Sequence, residues 1–243
     1  MKILRALFAI PAIILPLLLP ALRATPDAAL PVFKTGATIL FVGDSITDGG
    51  RARKGSDYNH TMGQGYAFIL AAQLGNRLAE RNLTFINRGI SGNRVPEFQS
   101  RWQTDVLDLK PDVLSILVGI NDTTRANMVT TPEEFERGYD QLLADTLKAL
   151  PGVRIILCEP FVLPAGKFKA VFPAVRAEVQ KRQDAVARLA AKYKLPLVRF
   201  QQTYDDACKR APAEHWCWDG IHPHYAGHAL MADAWLQTVA ALR

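Results

Sequence analysis

Thr38-Ile39-Leu40-Phe41-Val42-Gly43-Asp44-Ser45-Ile46-Thr47-Asp48-Gly49 is a short, unbroken apolar run that ends in glycine, aspartate and serine. A run of this length without polar alternation reads as a strand buried on both faces. Its polar end places Ser45 where the backbone leaves the sheet. Ser45 can cap the following helix there, as Ser and Asp commonly do, or it can be a nucleophile. This stretch alone leaves both readings open.

The same kind of strand recurs along the chain. Leu83–Asn87, Asp112–Val118, Val153–Cys158 and Leu197–Phe200 are apolar runs, with Ser115 a polar exception inside the third strand. Helical spacing lies between them. Tyr66–Arg81 repeats apolar residues at three and four, and Val95–Leu109 turns Phe98, Trp102, Val106 and Leu109 inward. Thr131 is placed to cap a helix that starts at Pro132 and runs to about Leu150. Phe172–Tyr193 is a long amphipathic helix, Gln201–Arg210 a short one, and Pro223–Leu242 closes the chain. Asp48–Gly65 is polar and glycine-rich and is expected to be an exposed loop.

Five strands alternating with helices predict an α/β fold: three layers, α/β/α, around a five-stranded parallel sheet. Right-handed crossovers leave few orders, and the flavodoxin-like order 2-1-3-4-5 is the expected one. In that order a ligand binds beyond the C-terminal ends of strands one and three, at the switch point.

The 243 residues carry a net charge of +6. Lys2, Arg5 and Arg23 lie in the first 24 residues, which hold no acid, so the remainder carries +3. So mild a balance, without a basic stripe interleaved with aromatics, argues against nucleic acid as a partner. Lys2 and Arg5 precede the uncharged run Ala6–Leu22, and Ala21-Leu22-Arg23-Ala24 resembles a cleavage region. Residues 1–24 are therefore expected to be a signal peptide, exporting the protein to the periplasm or beyond the cell. A retained anchor is the alternative, and only then is the membrane a partner. Residues 25–35 are expected to be a linker and 36–243 the folded domain. Three cysteines, Cys158, Cys208 and Cys217, give no full disulfide framework, although export would permit Cys208 and Cys217 to pair.

Three polar turns fall at the switch-point end of the sheet: Ser45 after strand one, Gly92 after strand two and Asn121 after strand three. A serine, a glycine turn and an asparagine converging there could be a nucleophile with oxyanion donors. A serine hydroxyl needs a base at neutral pH. Cys217-Trp218-Asp219-Gly220-Ile221-His222-Pro223 offers one: Asp219 and His222 are three residues apart in a turn that Gly220 permits. The carboxylate can hold one imidazole nitrogen and leave the other for Ser45. Read alone, His222 is equally a surface histidine before a helix. Gly43-Asp44-Ser45-Ile46-Thr47 is not G-x-S-x-G, and no phosphate loop or G-x-G-x-x-G follows a strand.

These blocks resemble the SGNH (GDSL-like) hydrolase superfamily across residues 38–242. The likeness rests on Gly43-Asp44-Ser45, Gly89-Ile90-Ser91-Gly92-Asn93, Gly119-Ile120-Asn121-Asp122 and Asp219-Gly220-Ile221-His222-Pro223. It implies Ser45 as nucleophile, His222 as base and Asp219 as its orienting partner. It implies the Ser45 and Gly92 amides and the Asn121 side chain as oxyanion donors.

Asp44–Arg53, Asn87–Asn93, Arg101-Trp102 and Trp218 are similar to the bacterial acetylxylan esterase branch. That implies an acetyl ester on a xylan-type sugar, with Asp44 and Trp218 as candidate substrate contacts. A lipid-directed lysophospholipase or thioesterase, or a non-catalytic carbohydrate-binding protein, would use the same blocks. His222, His224 and His228 invite a metal reading, but Pro223 separates the first two and no acid completes a ligand spacing. Neither a metal nor a cofactor is expected. A small ester or acetylated carbohydrate is the expected partner, and a homo-oligomer is compatible with the sequence.

Overall fold

The computed structural model describes residues 30–55, 57–124 and 130–242, so the expected signal peptide lies outside the described residues. β1 (Thr38–Gly43) is an inner strand of a parallel sheet with β2 (Thr84–Asn87), β3 (Val113–Leu117), β4 (Arg154–Cys158) and β5 (Leu197–Val198). The order is β2-β1-β3-β4-β5, the one expected. Leu40 stands opposite Ile86 on one side and Leu114 on the other.

Side chains alternate across each strand, and the two faces build two cores. Ile39 and Phe41 face α3 (Tyr66–Arg77), α8 (Phe200–Ala207) and α10 (Tyr225–Ala240). Leu40 and Val42 face α4 (Val95–Trp102), α6 (Pro132–Ala149) and α7 (Phe172–Tyr193). This double burial is why the strands lack polar alternation. Ser115 is reconciled with its burial by Trp235, whose Nε1–H donates to its Oγ at 3.0 Å. The expected start of α6 is a full capping box: Thr131 Oγ1 accepts from Glu134 N at 3.2 Å, and Glu134 Oε2 accepts from Thr131 N at 3.0 Å.

Four expectations are corrected. Residues 30–35 are not linker: Leu30 and Phe33 are buried in the core, and Phe33 stacks on Trp235 at 6.2 Å. Asp48–Gly65 is not simply an exposed loop. It carries α2 (Tyr58–Met62), and Asp48 and Arg51 are buried within it. The helix after Gly92 changes to π-helical geometry over Gln103–Leu107. The fifth strand stops at Val198, and Phe200 already begins α8. Cys158, Cys208 and Cys217 are free thiols.

Candidate active site

β1 delivers Ser45 to the first position of a one-turn helix, α1 (Ser45–Asp48). Asp44 is its N-cap, accepting from Ile46 N at 3.0 Å. Asp44 is 1% exposed, which corrects its expected place as a substrate contact. The first turn of a helix leaves N–H groups without intrahelical partners, and this carboxyl serves one of them. Ser45 is at once the first helical residue and the hydroxyl presented outward.

The other two turns are brought to α1 by backbone bonds. Arg88 N donates to Phe41 O at 2.8 Å and Ile90 N to Gly43 O at 3.0 Å, so the chain after β2 runs on alongside the end of β1. Gly89 lies so close to α1 that a Cβ there would overlap the backbone of Asp48. Gly92 has φ +80°, a left-handed conformation that suits glycine. Asn121, in α5 (Ile120–Thr124), donates from Nδ2 to Asn93 O at 3.2 Å. Its neighbour Asp122 accepts from Val95 N at 3.2 Å. The turns after β2 and β3 are thereby tied together beside Ser45.

Asp48 clamps this arrangement, and sequence reasoning passed over it. Its carboxylate takes Ser91 N and Ser91 Oγ at 2.8 Å each, and Arg53 through two bonds of 3.1 and 2.5 Å. Burial by itself would raise the pKa of Asp48. The donors from Arg53 and Ser91 outweigh it and hold the carboxyl below its ordinary range. The available signal was an acid directly before a Gly-Gly pair, five residues before Arg53.

The base-bearing turn precedes α10. Trp218 N donates to His222 O at 3.3 Å and His224 N to Trp216 O at 2.9 Å, pinching off a short loop. Gly220 takes φ +97° and fits against the carbonyls of Leu163 and Ala165, where a Cβ would meet both at under 3 Å. Asp219 Oδ1 accepts from Ile221 N at 3.0 Å and His222 N at 2.7 Å, while Oδ2 lies 2.7 Å from His222 Nδ1. Burial pushes the Asp219 pKa up, but the His222 ring and these two amides pull it down further. The group sits below the ordinary carboxylate range.

His222 Nε2 then lies 2.8 Å from Ser45 Oγ. Residues 177 positions apart are in hydrogen-bond contact, and the chain Asp219–His222–Ser45 is continuous. Trp218 is 57% exposed and stacks on the His222 ring with centroids 5.8 Å apart. Of the other two histidines in that stretch, His224 caps α10. His228 is buried, accepts from Tyr66 N at 3.1 Å, and is pushed by burial down to a pKa of about 4. That Nδ1 lone pair is engaged by the backbone.

Residues 41–230 match the model of the GDSL-like lipase/acylhydrolase family. The chain belongs to that family. It is 31% identical to an acetylxylan esterase of Geobacillus stearothermophilus over 213 residues, covering 84% of this chain and 94% of that one. The structure of Axe2, an acetylxylan esterase from Geobacillus stearothermophilus, superposes with a TM-score of 0.77 at 30% identity, covering 87% of this chain and 97% of Axe2. LAE5, an alpha/beta hydrolase enzyme from the metagenome of Lake Arreo, is 34% identical with a TM-score of 0.78, covering 87% and 99%. This GDSL-like acylhydrolase is accordingly a carboxylic ester hydrolase.

Proposed function

We propose that this esterase removes acetyl groups from a xylan-type carbohydrate, using Ser45 as nucleophile, His222 as general base and Asp219 as its orienting partner. The observation that carries the reading is the 2.8 Å approach of His222 Nε2 to Ser45 Oγ, with Asp219 on the opposite ring nitrogen. Ser45 Oγ attacks the ester carbonyl as Nε2 takes its proton, forming the C–O bond of a tetrahedral intermediate. The Ser45 and Gly92 amides and the Asn121 amide group receive the oxyanion. The sugar hydroxyl leaves with the proton from His222. Water then attacks the acetyl-enzyme by the same relay, releasing acetate and restoring Ser45.

Support for the substrate class comes from Trp218, an exposed indole beside the base, which offers a sugar ring an apolar face. In Axe2 the catalytic mutants replace a serine and an aspartate, and a further mutant replaces the tryptophan directly before that aspartate. Trp218-Asp219 stands here in the same arrangement. The run Ala6–Leu22 behind Lys2 and Arg5 supports export to the compartment where such a polymer is met. Among the described residues no helix is long and apolar enough to cross a membrane.

Acetate release from acetylated xylan, measured beside a chain-length series of p-nitrophenyl esters, tests the reading. Rates should fall beyond propionyl. Ser45→Ala should abolish turnover and leave the circular dichroism spectrum intact. Preferred hydrolysis of long acyl chains would replace the sugar ester by a lipid ester, and full activity in Ser45→Ala would remove the mechanism.

A further inference from the structure

A second charged centre surrounds the turn after β2. Arg51 Nε and Arg53 Nη1 both donate to Gly89 O, at 2.9 and 3.2 Å. Arg101 donates to Arg88 O at 2.8 Å and to Asn93 Oδ1 at 2.8 Å. Four guanidinium groups, of Arg51, Arg53, Arg88 and Arg101, therefore gather around one turn.

Two carboxylates answer them. Asp48 is spent on Arg53 and Ser91, and Asp105 lies 2.7 Å from Arg101. Arg88 Nε is buried without a hydrogen-bond partner, 3.7 Å from Asp105, and Arg101 Nη2 is likewise unpartnered. Burial first, and then the charges of Arg53 and Arg88, push the Arg51 pKa down to about 10. Like charges held this close cost free energy, and an arriving anion recovers it.

A cavity of about 260 Å³ opens on this cluster. Arg51, Arg53 and Arg88 line it together with Thr61 and Asn87, and no acid is among its lining residues. Tyr58, 80% exposed on α2, also lines it. A planar guanidinium fork matches a planar carboxylate through two parallel bonds. An exposed phenol ring beside it offers the apolar face that a pyranose stacks on. Arg88 lies in the turn that also carries Gly92, and Arg53 shares the Asp48 carboxylate with Ser91, the residue before Gly92, so a branched oligosaccharide with its ester at Ser45 has a second unit to seat nearby.

We propose that this cavity binds an acidic sugar of the substrate chain, its carboxylate held by Arg51, Arg53 and Arg88 and its ring against Tyr58. The proposal rests on the carbohydrate-esterase reading and deepens it: the preferred substrate carries a uronic acid near the acetyl group.

Calorimetric titration of the Ser45→Ala protein with glucuronate, with glucose and with inorganic phosphate separates the sources of an anion. Glucuronate should bind at least tenfold tighter than either. Arg88→Gln should weaken it about tenfold while p-nitrophenyl acetate hydrolysis, measured with Ser45 present, is unchanged. Tyr58→Ala, at an exposed position that folding does not depend on, should weaken glucuronate and leave phosphate unaffected. Acetylated xylo-oligosaccharides bearing a glucuronosyl branch should show a kcat/KM several-fold above unbranched ones, an advantage lost in 0.5 M salt.

Equal binding of phosphate and glucuronate would make this a general anion site and overturn the sugar assignment. Absence of glucuronate binding, or no loss in either variant, would overturn the site itself. The carbohydrate-esterase reading fails separately, if neither oligosaccharide releases acetate.

Discussion

Asn121 illustrates how one side chain can be both held and usable. A carboxamide has two N–H bonds. One is spent on Asn93 O, which orients the group, and in the proposed mechanism the other meets the charge that develops on the substrate. Asn121→Ala should lower kcat by about 10²–10³ with little change in KM, since the contact strengthens in the transition state. Steady-state kinetics on p-nitrophenyl acetate measures it, and a pure KM effect would reassign Asn121 to substrate binding. Asp219 works differently. Its carboxyl is held below the ordinary range by the His222 ring and two backbone amides, so it is ionised at neutral pH and, in the proposed mechanism, orients His222 through Nδ1.

At the scale of elements, the site depends on how α1 is fastened to the turn after β2. Asp48 in α1 and Ser91 in the turn form the fastening, with Arg53 from the following segment completing it. Asp48→Ala should cost about 3 kcal/mol, the lower end for a broken buried pair because Arg53 is half exposed. Chemical denaturation reads that loss. Activity should fall further than stability accounts for, because Gly92 follows Ser91 directly. A variant with lowered stability and unchanged kcat would show that the turn holds its position without Asp48.

The molecule as a whole is two cores on one sheet, and both ends of the described chain join the same one. Phe33 lies in that core against Trp235, so Phe33→Ala should cost about 3–5 kcal/mol in unfolding free energy. A loss under 1 kcal/mol would return residues 30–35 to a linker. Stability should also depend on pH through two buried acids. Burial, with the charge of Asp122 adding to it, pushes the Asp44 pKa up to about 7, and burial pushes Asp122 up to about 6. A raised carboxyl pKa favours the protonated, folded form. Its contribution is complete below the ordinary aspartate value near 4 and is lost as pH rises towards 7. Melting temperature should therefore decline between about pH 4 and pH 7. Asp44→Asn, which keeps the oxygen facing Ile46 N, should flatten that decline; an unchanged slope would remove Asp44 as its source.

The sheet and its order were legible because parallel strands covered on both faces show as unbroken apolar runs, and handed crossovers leave few ways to connect them. Ser45, Gly92 and Asn121 were legible for the same reason, as the polar ends of three such runs. Asp219 and His222 were legible because they share one turn. The sequence by itself therefore determined the layers, the rim on which chemistry collects, and the residue types gathered there. Only the tertiary structure decided that His222 reaches Ser45 across 177 residues, that Asp44 turns inward as a cap, and that Leu30 and Phe33 belong to the core. It also decided that Asp48 and Arg51 of a polar, glycine-rich stretch lie buried, and that Arg51 and Arg53 both reach Gly89 O. Local periodicity records which face a residue shows to its own element. Partners distant in the chain, and the burial of charge among them, are set by how the elements close on one another.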